Sequence, residues 1–421
     1  MNSNSPQQPP ILFVGIDWAD KEHAVWCQSN EGSSSESETL PQDSKAIAKW
    51  VGKLEKRFPG HQIMIALEQS RGALIAALAQ FHNLLLYPIN PKQLASYRDA
   101  IHPSGSKNDP GDASLLAKFL QYHHEQLRPW QPDDEQTCEL GELAELRRKL
   151  VEERKRLVLQ LNSSLKQYFP LILQLCNQNL NDPLILDLLQ RWPSLEELQS
   201  VHPLTLRTFL KEHGMRNRDQ QTELIETIRG ALPLTRNQAL IRPRARYVQT
   251  LVRQIRELRK SIAEFDEQLR QQATDHPDND LFRSAPGAGE VLAPRLIAAF
   301  GSDRDRYESP EEIQCYSGIA PITKQSGSSK VVQRRLACPK FLRQTFHEFA
   351  DQARKYSRWS KAFYKMKKSQ GMKHHAALRA LAYKWIRIFF RLWKTNTLYS
   401  EDTYIKQLQS KNSPVIQFLD P

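Results

Sequence analysis

The fold class predicted by this sequence of 421 residues is an α/β domain followed by a long helical middle and a mainly helical end. Three observations carry that expectation. Short apolar runs alternate with amphipathic segments over the first 128 residues, two long apolar stripes occupy the middle, and residues 339–393 are mainly helical and laced with Arg, Lys and aromatics.

ILFVGID (residues 11–17) is an apolar run ending on Asp17, and HAVWC (23–27) follows after a turn-length gap, which predicts the first hairpin of a sheet. The stretch from Glu31 to Ser44 is rich in Ser, Glu and Pro and reads as a surface loop. Residues 45–57 read as an amphipathic helix ended near Pro59 and Gly60, and IMIAL (63–67) as a buried strand stopping at Glu68. A helix burying Leu74, Ile75, Leu78 and Phe81 comes next, then LLLYPI (84–89), a strand closed by Pro88 and Pro91. From Asp112 a helix runs through Leu115, Leu116, Phe119 and Leu120. This order sets residues 1–130 as one small α/β domain.

Pro129 and the run DDE at 133–135 mark a boundary. Residues 138–168 then read as one helix with Leu143, Leu146, Leu150, Leu157, Leu161 and Leu165 at helical spacing. A second long helix covers 238–272, with Tyr247, Leu251, Ile255, Ile262 and Phe265 as its stripe. Shorter helices broken by Pro183, Pro193, Pro203, Gly214, Gly230 and Pro233 lie between them. The region 131–280 is therefore a coiled-coil-like middle with a helical insert, either an arm open to another subunit or a bundle within one chain. Residues 281–400 form a third domain, opening on LFRSAPGAGEVLAPRLIAAFG as helix, glycine turn and helix, and 401–421 reads as a tail.

The net charge of +12 is unevenly spread. Acidic residues exceed basic ones by five over residues 1–140, whereas Lys and Arg exceed Asp and Glu by twelve over 341–400. Such a gradient points to nucleic acid, because phosphate charge and released counterions dominate that kind of binding. The five cysteines (Cys27, Cys138, Cys176, Cys315, Cys338) are too far apart for a disulfide framework or a zinc pattern. No window is apolar enough to span a membrane, and MNSNSPQQPP lacks the features of a signal peptide, so a cytoplasmic protein is expected.

Four carboxylates stand out by place. Asp17 and Glu68 end strands, and Asp109 and Asp112 stand three apart across a helix start. Strand ends at one sheet edge converge, and helix positions i and i+3 share a face. Gathered carboxylates repel unless a hard cation neutralises them, so Mg²⁺ or Mn²⁺ is the suited partner. Asp112 alone would serve equally as a helix cap.

The segments VGIDWADKEHAVW, ALEQSRG and KNDPGDASLLAKFL resemble the D, E, D, D sites of the DEDD transposases of the insertion sequence 110 and 1111 type, whose first domain is RuvC-like and hence RNase H-like. The resemblance implies that Asp17, Glu68, Asp109 and Asp112 are metal ligands. Asn108 stands where the family usually has Thr. The block APGAGEVLAPRLIAAFGSDRDRYESPEEIQCYSGIAPITKQSGSSK is similar to the C-terminal transposase domain of the same enzymes. In that domain a serine before glycine attacks DNA and forms a phosphoserine link, which by motif falls on Ser326, with Ser328 and Ser329 as alternatives. Cys338 and Pro339 stand where many relatives carry Gly-Asn.

What the resemblance further implies is DNA transposition guided by a structured bridge RNA, in a tetramer where the acidic domain of one subunit completes the serine site of another. From the residues alone, Lys324, Lys330, Arg334, Arg335, Lys340 and Arg343 flank the serine loop and are candidates for phosphate contacts. On the helix from about 374, Arg379, Lys384, Arg387, Arg391 and Lys394 lie off the core stripe and are free for the same task. Phe363, Tyr364, Trp385 and Trp393 are candidates for stacking on bases, while His374 and His375 are adjacent and do not form a metal pair. Gly287 and Gly289 bracket a turn whose amides could approach a phosphate. Two other functions fit parts of the pattern: a metal-dependent nuclease or junction resolvase needs only the acids, and a non-catalytic nucleic-acid scaffold needs only the basic region.

Overall fold

The computed structural model of the chain describes residues 10–30, 35–68, 72–101, 109–176, 178–327 and 329–419. It divides into two compact units, Met1–Asp133 and Asp134–Pro421. The first contains β1 (Ile11–Asp17), β2 (Glu22–Ser29), β3 (Ser35–Pro41), α1 (Ser44–Arg57), β4 (Gln62–Leu67), α2 (Ala73–Leu78), β5 (Leu84–Pro88), α3 (Pro91–Ile101) and α4 (Asp109–His123). The strands form one sheet in the order β3-β2-β1-β4-β5, with β1, β4 and β5 parallel and the other two joined antiparallel.

The continuous apolar run of β1 has a simple cause, since a central strand is covered on both faces. Leu12, Val14 and Ile16 pack with Ile63 and Ile65 of β4 against Ile47, Trp50 and Leu54 of α1. On the opposite face Phe13, Met64 and Ala66 meet Leu94 of α3 and Leu115, Leu116, Phe119 and Leu120 of α4. Helices thus cover both sides of the sheet. Asp43 starts α1 by accepting the Ala46 N–H at 2.8 Å, a cap contributing about 1 kcal/mol.

Three elements of this unit differ from expectation. Strand β3 lies within the stretch 31–44 that reads as loop, because only Leu40 of its seven residues is buried and no alternation shows. Its ladder with β2 holds it, helped by a Glu36–Arg57 ion pair and by Glu38, which accepts the Trp50 indole N–H at 2.6 Å. Charges along an exposed edge also discourage pairing with other chains. Helix α3 begins at Pro91, which reads as a strand stop but fits a first helical turn, where a missing N–H costs nothing. Helix α4 starts at Asp109 rather than Asp112.

Helix α4 approaches β1 so closely that only glycine fits at position 15. A Cβ there would stand 2.0 Å from the Ala113 carbonyl oxygen and 2.6 Å from the Ala117 nitrogen, both main-chain atoms that cannot swing aside.

In the second unit, Asp134 caps α5 (Glu135–Leu165) by accepting the Thr137 N–H at 2.8 Å. Short helices α6 to α10 (Leu171–Leu175, Pro183–Arg191, Leu195–Ser200, Pro203–Glu212, Arg218–Gly230) lead to α11 (Gln238–Thr274). Helices α5 and α11 pack antiparallel within one chain. Leu140 and Ala144 share a core with Leu269 and Ala273, and Leu157, Leu161 and Leu165 share another with Val248, Leu251, Val252 and Ile255. An Arg147–Asp266 ion pair links the helices between these cores. Leu146 and Tyr247, placed in the expected stripes, are exposed. Tyr247 sits at the rim, its hydroxyl donating to Gln160 Oε1 at 3.2 Å.

The chain continues as α12 (Asn279–Arg283), α13 (Gly289–Phe300), α14 (Pro310–Tyr316), β6 (Ile322–Ser326), β7 (Ser329–Gln333), α15 (Lys340–Tyr356), α16 (Arg358–Ser369), α17 (His374–Thr395) and α18 (Glu401–Ser410). Gly287, at φ 90°, lies against α15, where a Cβ would meet Ala353 N and Gln352 C at 2.9 Å. Its glycine is therefore a packing requirement of the turn. Residues 401–421, expected as a tail, include α18, and Leu408 and Val415 are buried in the same core as Trp359 and Trp385. So few anchors leave little periodicity to read. Among the described residues no helix is long and apolar enough to cross a membrane.

Gly15→Ala is expected to destabilise the full chain by roughly 1–3 kcal/mol in urea melts through overpacking against α4. Gly52→Ala, within α1 and with nothing inside 4 Å of its Cβ, is expected to be stabilising by up to about 1 kcal/mol. Equal effects of the two would contradict the close approach.

Candidate active site and nucleic-acid interface

The sheet register places two of the acids side by side. Ile16 pairs with Leu67 in the parallel β1–β4 ladder, so Asp17 and Glu68 follow as neighbours at the carboxyl ends of their strands. Side chains alternate along a strand, which puts Asp17 on the face of Phe13 and Gly15, and Glu68 on that of Met64 and Ala66. Both belong to the face that α4 covers. The Gly15 contact holds Ala113 over β1, and Asp112 directly precedes it. Three of the four predicted acids thereby lie toward one end of the same sheet face.

Asp112 is buried, and Arg98 of α3 donates to its Oδ1 from Nε at 3.0 Å and from Nη2 at 2.7 Å. Asp109 is the first residue of α4, one turn before Asp112, and its side chain lies outside the described residues. Among the described residues, no three carboxylate, imidazole or thiol groups are close enough to hold an ion. The donor set is nonetheless all oxygen, which fits a hard divalent cation and disfavours zinc or copper. Sequence reasoning missed Arg98, since α3 itself was unforeseen, and also His23. Wholly buried on β2, His23 accepts the Ala19 N–H at Nδ1 (3.2 Å) and donates from Nε2 to Gln42 Oε1 (2.6 Å), fixing the turn that leaves Asp17.

Ser326 lies on a hairpin rather than in an irregular loop. Strands β6 and β7 pair antiparallel with Ser326 opposite Ser329, and Gly327, at φ 56°, makes the turn. Ser328 lies outside the described residues, as does the side chain of Lys330, which is opposite Gln325 in the ladder. Lys324, two residues before Ser326, shares its face, and both are exposed. At the hairpin's base Gly318 lies under Cys338, whose Sγ would stand 2.3 Å from an added Cβ. Arg343 reaches the Leu336 carbonyl and Cys338 Sγ at 3.4 Å, and Arg335 reaches Cys315 Sγ at 3.8 Å, long contacts that a phosphate can displace. Arg334 and Lys340 are exposed.

The basic face of α17 is more crowded than the sequence suggests. Burial, followed by the charge of Arg334, lowers the Arg379 pKa. Lys384 is lowered by burial, then by Lys367 and Arg387, and its ammonium stacks 5.3 Å from the Phe363 ring centroid. Arg387 pairs with Glu311 at 2.8 Å on the surface, a contact of small worth, and Arg391 is exposed. Lys394 reaches the Arg304 carbonyl. Of the aromatics proposed for stacking, Phe363, Trp385 and Trp393 are buried in the core and present no face to a base. Tyr364 is half-buried, with Arg354 over its ring and its hydroxyl 2.8 Å from His374 Nδ1.

One further group was missed. His347 of α15 sits with its ring 5.4 Å from that of His375. Burial first, then His375 and Arg379, push its pKa down, against the pull of Asp351.

Comparison with known proteins matches residues 14–170 to a transposase family model of the DEDD type, and residues 279–365 to the model described as "Transposase IS116/IS110/IS902 family". The chain belongs to the IS110 family of transposases. It is similar to the mini-circle protein of IS117 from Streptomyces coelicolor, which carries a transposase name, with 28% identity covering 93% of this chain and 95% of that one. It also resembles the 42 kDa protein of insertion element IS900 from Mycobacterium paratuberculosis, 22% identical over 93% of this chain and 98% of that one. The first family match spans β1, β4 and α4, which carry the acids, and the second spans the hairpin with Ser326. Membership in this IS110 family makes the chain an enzyme of DNA recombination.

Because His347 is held neutral in the fold, the unfolded chain binds its proton at higher pH, near the ordinary value of 6.5. Stability is therefore lost as pH falls from there toward the depressed folded value. Urea midpoints at pH 7.5 and 5.5 are expected to show a smaller acid loss for His347→Gln than for the wild type.

Proposed function

We propose that this transposase cuts and rejoins DNA by transesterification at Ser326, with a divalent cation held by Asp17, Glu68, Asp109 and Asp112 in an RNase H-like, RuvC-like domain. The observation that carries the reading is the register that sets Asp17 beside Glu68 on the face where α4 brings Asp112. An all-carboxylate set at one sheet edge is suited to Mg²⁺ or Mn²⁺, which when bound would offset phosphate charge and favour the ionised nucleophile.

The chain's own groups do the rest. Ser326 Oγ, presented at an exposed hairpin end, forms a bond to phosphorus as one bridging P–O bond of the DNA breaks, and the departing sugar oxygen takes a proton. A second DNA hydroxyl then attacks the phosphoserine, restoring Ser326 and the diester count. Lys324, Lys330, Arg334, Arg335, Lys340 and Arg343 surround that position in sequence and would steady the phosphate. Arg379, Lys384, Arg387 and Arg391 would bind the backbone away from the cut. Guidance by a structured bridge RNA and assembly into a tetramer rest on the family resemblance alone. The division into an acidic domain over 1–130, a helical middle over 131–280 and a serine domain over 281–400 follows the same reading.

Denaturing electrophoresis of the protein with labelled element-end DNA, cognate RNA and Mg²⁺ tests the chemistry. A covalent protein–DNA adduct is expected in the wild type and in Ser329→Ala, and none in Ser326→Ala. Asp17→Asn is expected to lower cleavage by on the order of 10³-fold. Cleaved DNA without an adduct in any of them would replace this mechanism with a hydrolytic nuclease, and binding without cleavage would favour a scaffold.

A further inference from the structure

Asp112 is the most enclosed acid described at the site, with 3% of its surface exposed, and Arg98 closes on it from α3 with a side chain 16% exposed. Two guanidinium donors, Nε and Nη2, converge on the single oxygen Oδ1 at 3.0 and 2.7 Å. A buried carboxylate is costly without a countercharge, and the guanidinium supplies one. That same oxygen is one a hard cation would take at about 2.0–2.2 Å. A divalent ion so close would crowd both N–H groups and repel the guanidinium.

We propose that Arg98 is a built-in countercharge that competes with the divalent cation for Asp112, a proposal that rests on the metal-binding reading above. In the metal-free site Arg98 holds Asp112 in place through the contacts to Oδ1. Ion loading turns the guanidinium away from Oδ1. A released guanidinium is a forked donor suited to a phosphodiester, so DNA favours the released state and raises ion affinity in turn. Arg98 is thus a positioning residue that makes the acids bind their ion more tightly when DNA is present.

Binding of Mn²⁺ to the full chain, read from the paramagnetic resonance signal of the free ion, tests this. Arg98→Gln is expected to bind Mn²⁺ about tenfold more tightly than the wild type, because a repelling charge is gone, whereas Arg98→Lys stays near the wild type. Equal or weaker binding by Arg98→Gln would mean that Arg98 only props Asp112, and would overturn the proposal. If the wild type binds no more Mn²⁺ than Asp17→Asn, the metal reading itself fails. Should Arg98→Gln not fold, the wild type still decides. A slowly exchanging Arg98 Nε–H resonance, assigned by its loss in Arg98→Lys, is expected to lose protection at saturating Mg²⁺, and its persistence would overturn the competition.

Discussion

The first unit depends on one close approach, that of α4 to β1 at Gly15. Without a side chain at that position the helix main chain lies on the strand, with Ala113 O and Ala117 N in the space a Cβ would take. The consequence reaches the proposed ligands, because Asp112 precedes Ala113 and Asp17 follows Gly15 by two residues. Any residue that pushes the helix outward moves one carboxylate relative to another. Buried apolar contacts on that face, from Phe13 and Met64 to Leu116 and Leu120, then fix the distance that Gly15 permits.

In the second unit Ser326 is exposed at the end of a hairpin. The unit's core of stacked rings, including Trp359, Trp385 and Phe389, holds α15, α16 and α17 together. The hairpin of β6 and β7 stands on the turn where Gly318 meets Cys338 and leads into α15. Cys338 therefore has a plain role where many relatives are expected to carry glycine, since its sulfur fills the space above Gly318. The basic residues follow from the same packing. Aromatic stripes face inward, which leaves Arg379, Arg387 and Arg391 on the outer side of α17.

Strong periodicity made much of this fold legible. Strands β1, β2, β4 and β5 and the long helices α5 and α11 are evident because central strands and packed helices need continuous or regularly spaced apolar residues. Strand β3, helix α3 and helix α18 escaped notice for the opposite reason, as each buries so few side chains that backbone ladders and local caps decide its form. The acids Asp17 and Glu68 were readable as strand ends, whereas Asp112, read as a helix start, stands within the first turn of α4. Arg98 and His347 were not, because each gains its character from partners far along the chain, Asp112 for one and His375 with Arg379 for the other. The stacking role foreseen for Trp385 and Trp393 failed because helical spacing of aromatics is the mark of a core.

The central claim is that the Gly15 approach gathers Asp17, Glu68 and the acids of α4 into one cation site. Anomalous diffraction from crystals of the full chain soaked in Mn²⁺ tests it most directly. A manganese peak ligated by Asp17, with Glu68 or Asp112 in its coordination shell, is the predicted result. Manganese bound elsewhere, or none at saturating concentration with these carboxylates pointing apart, would contradict it.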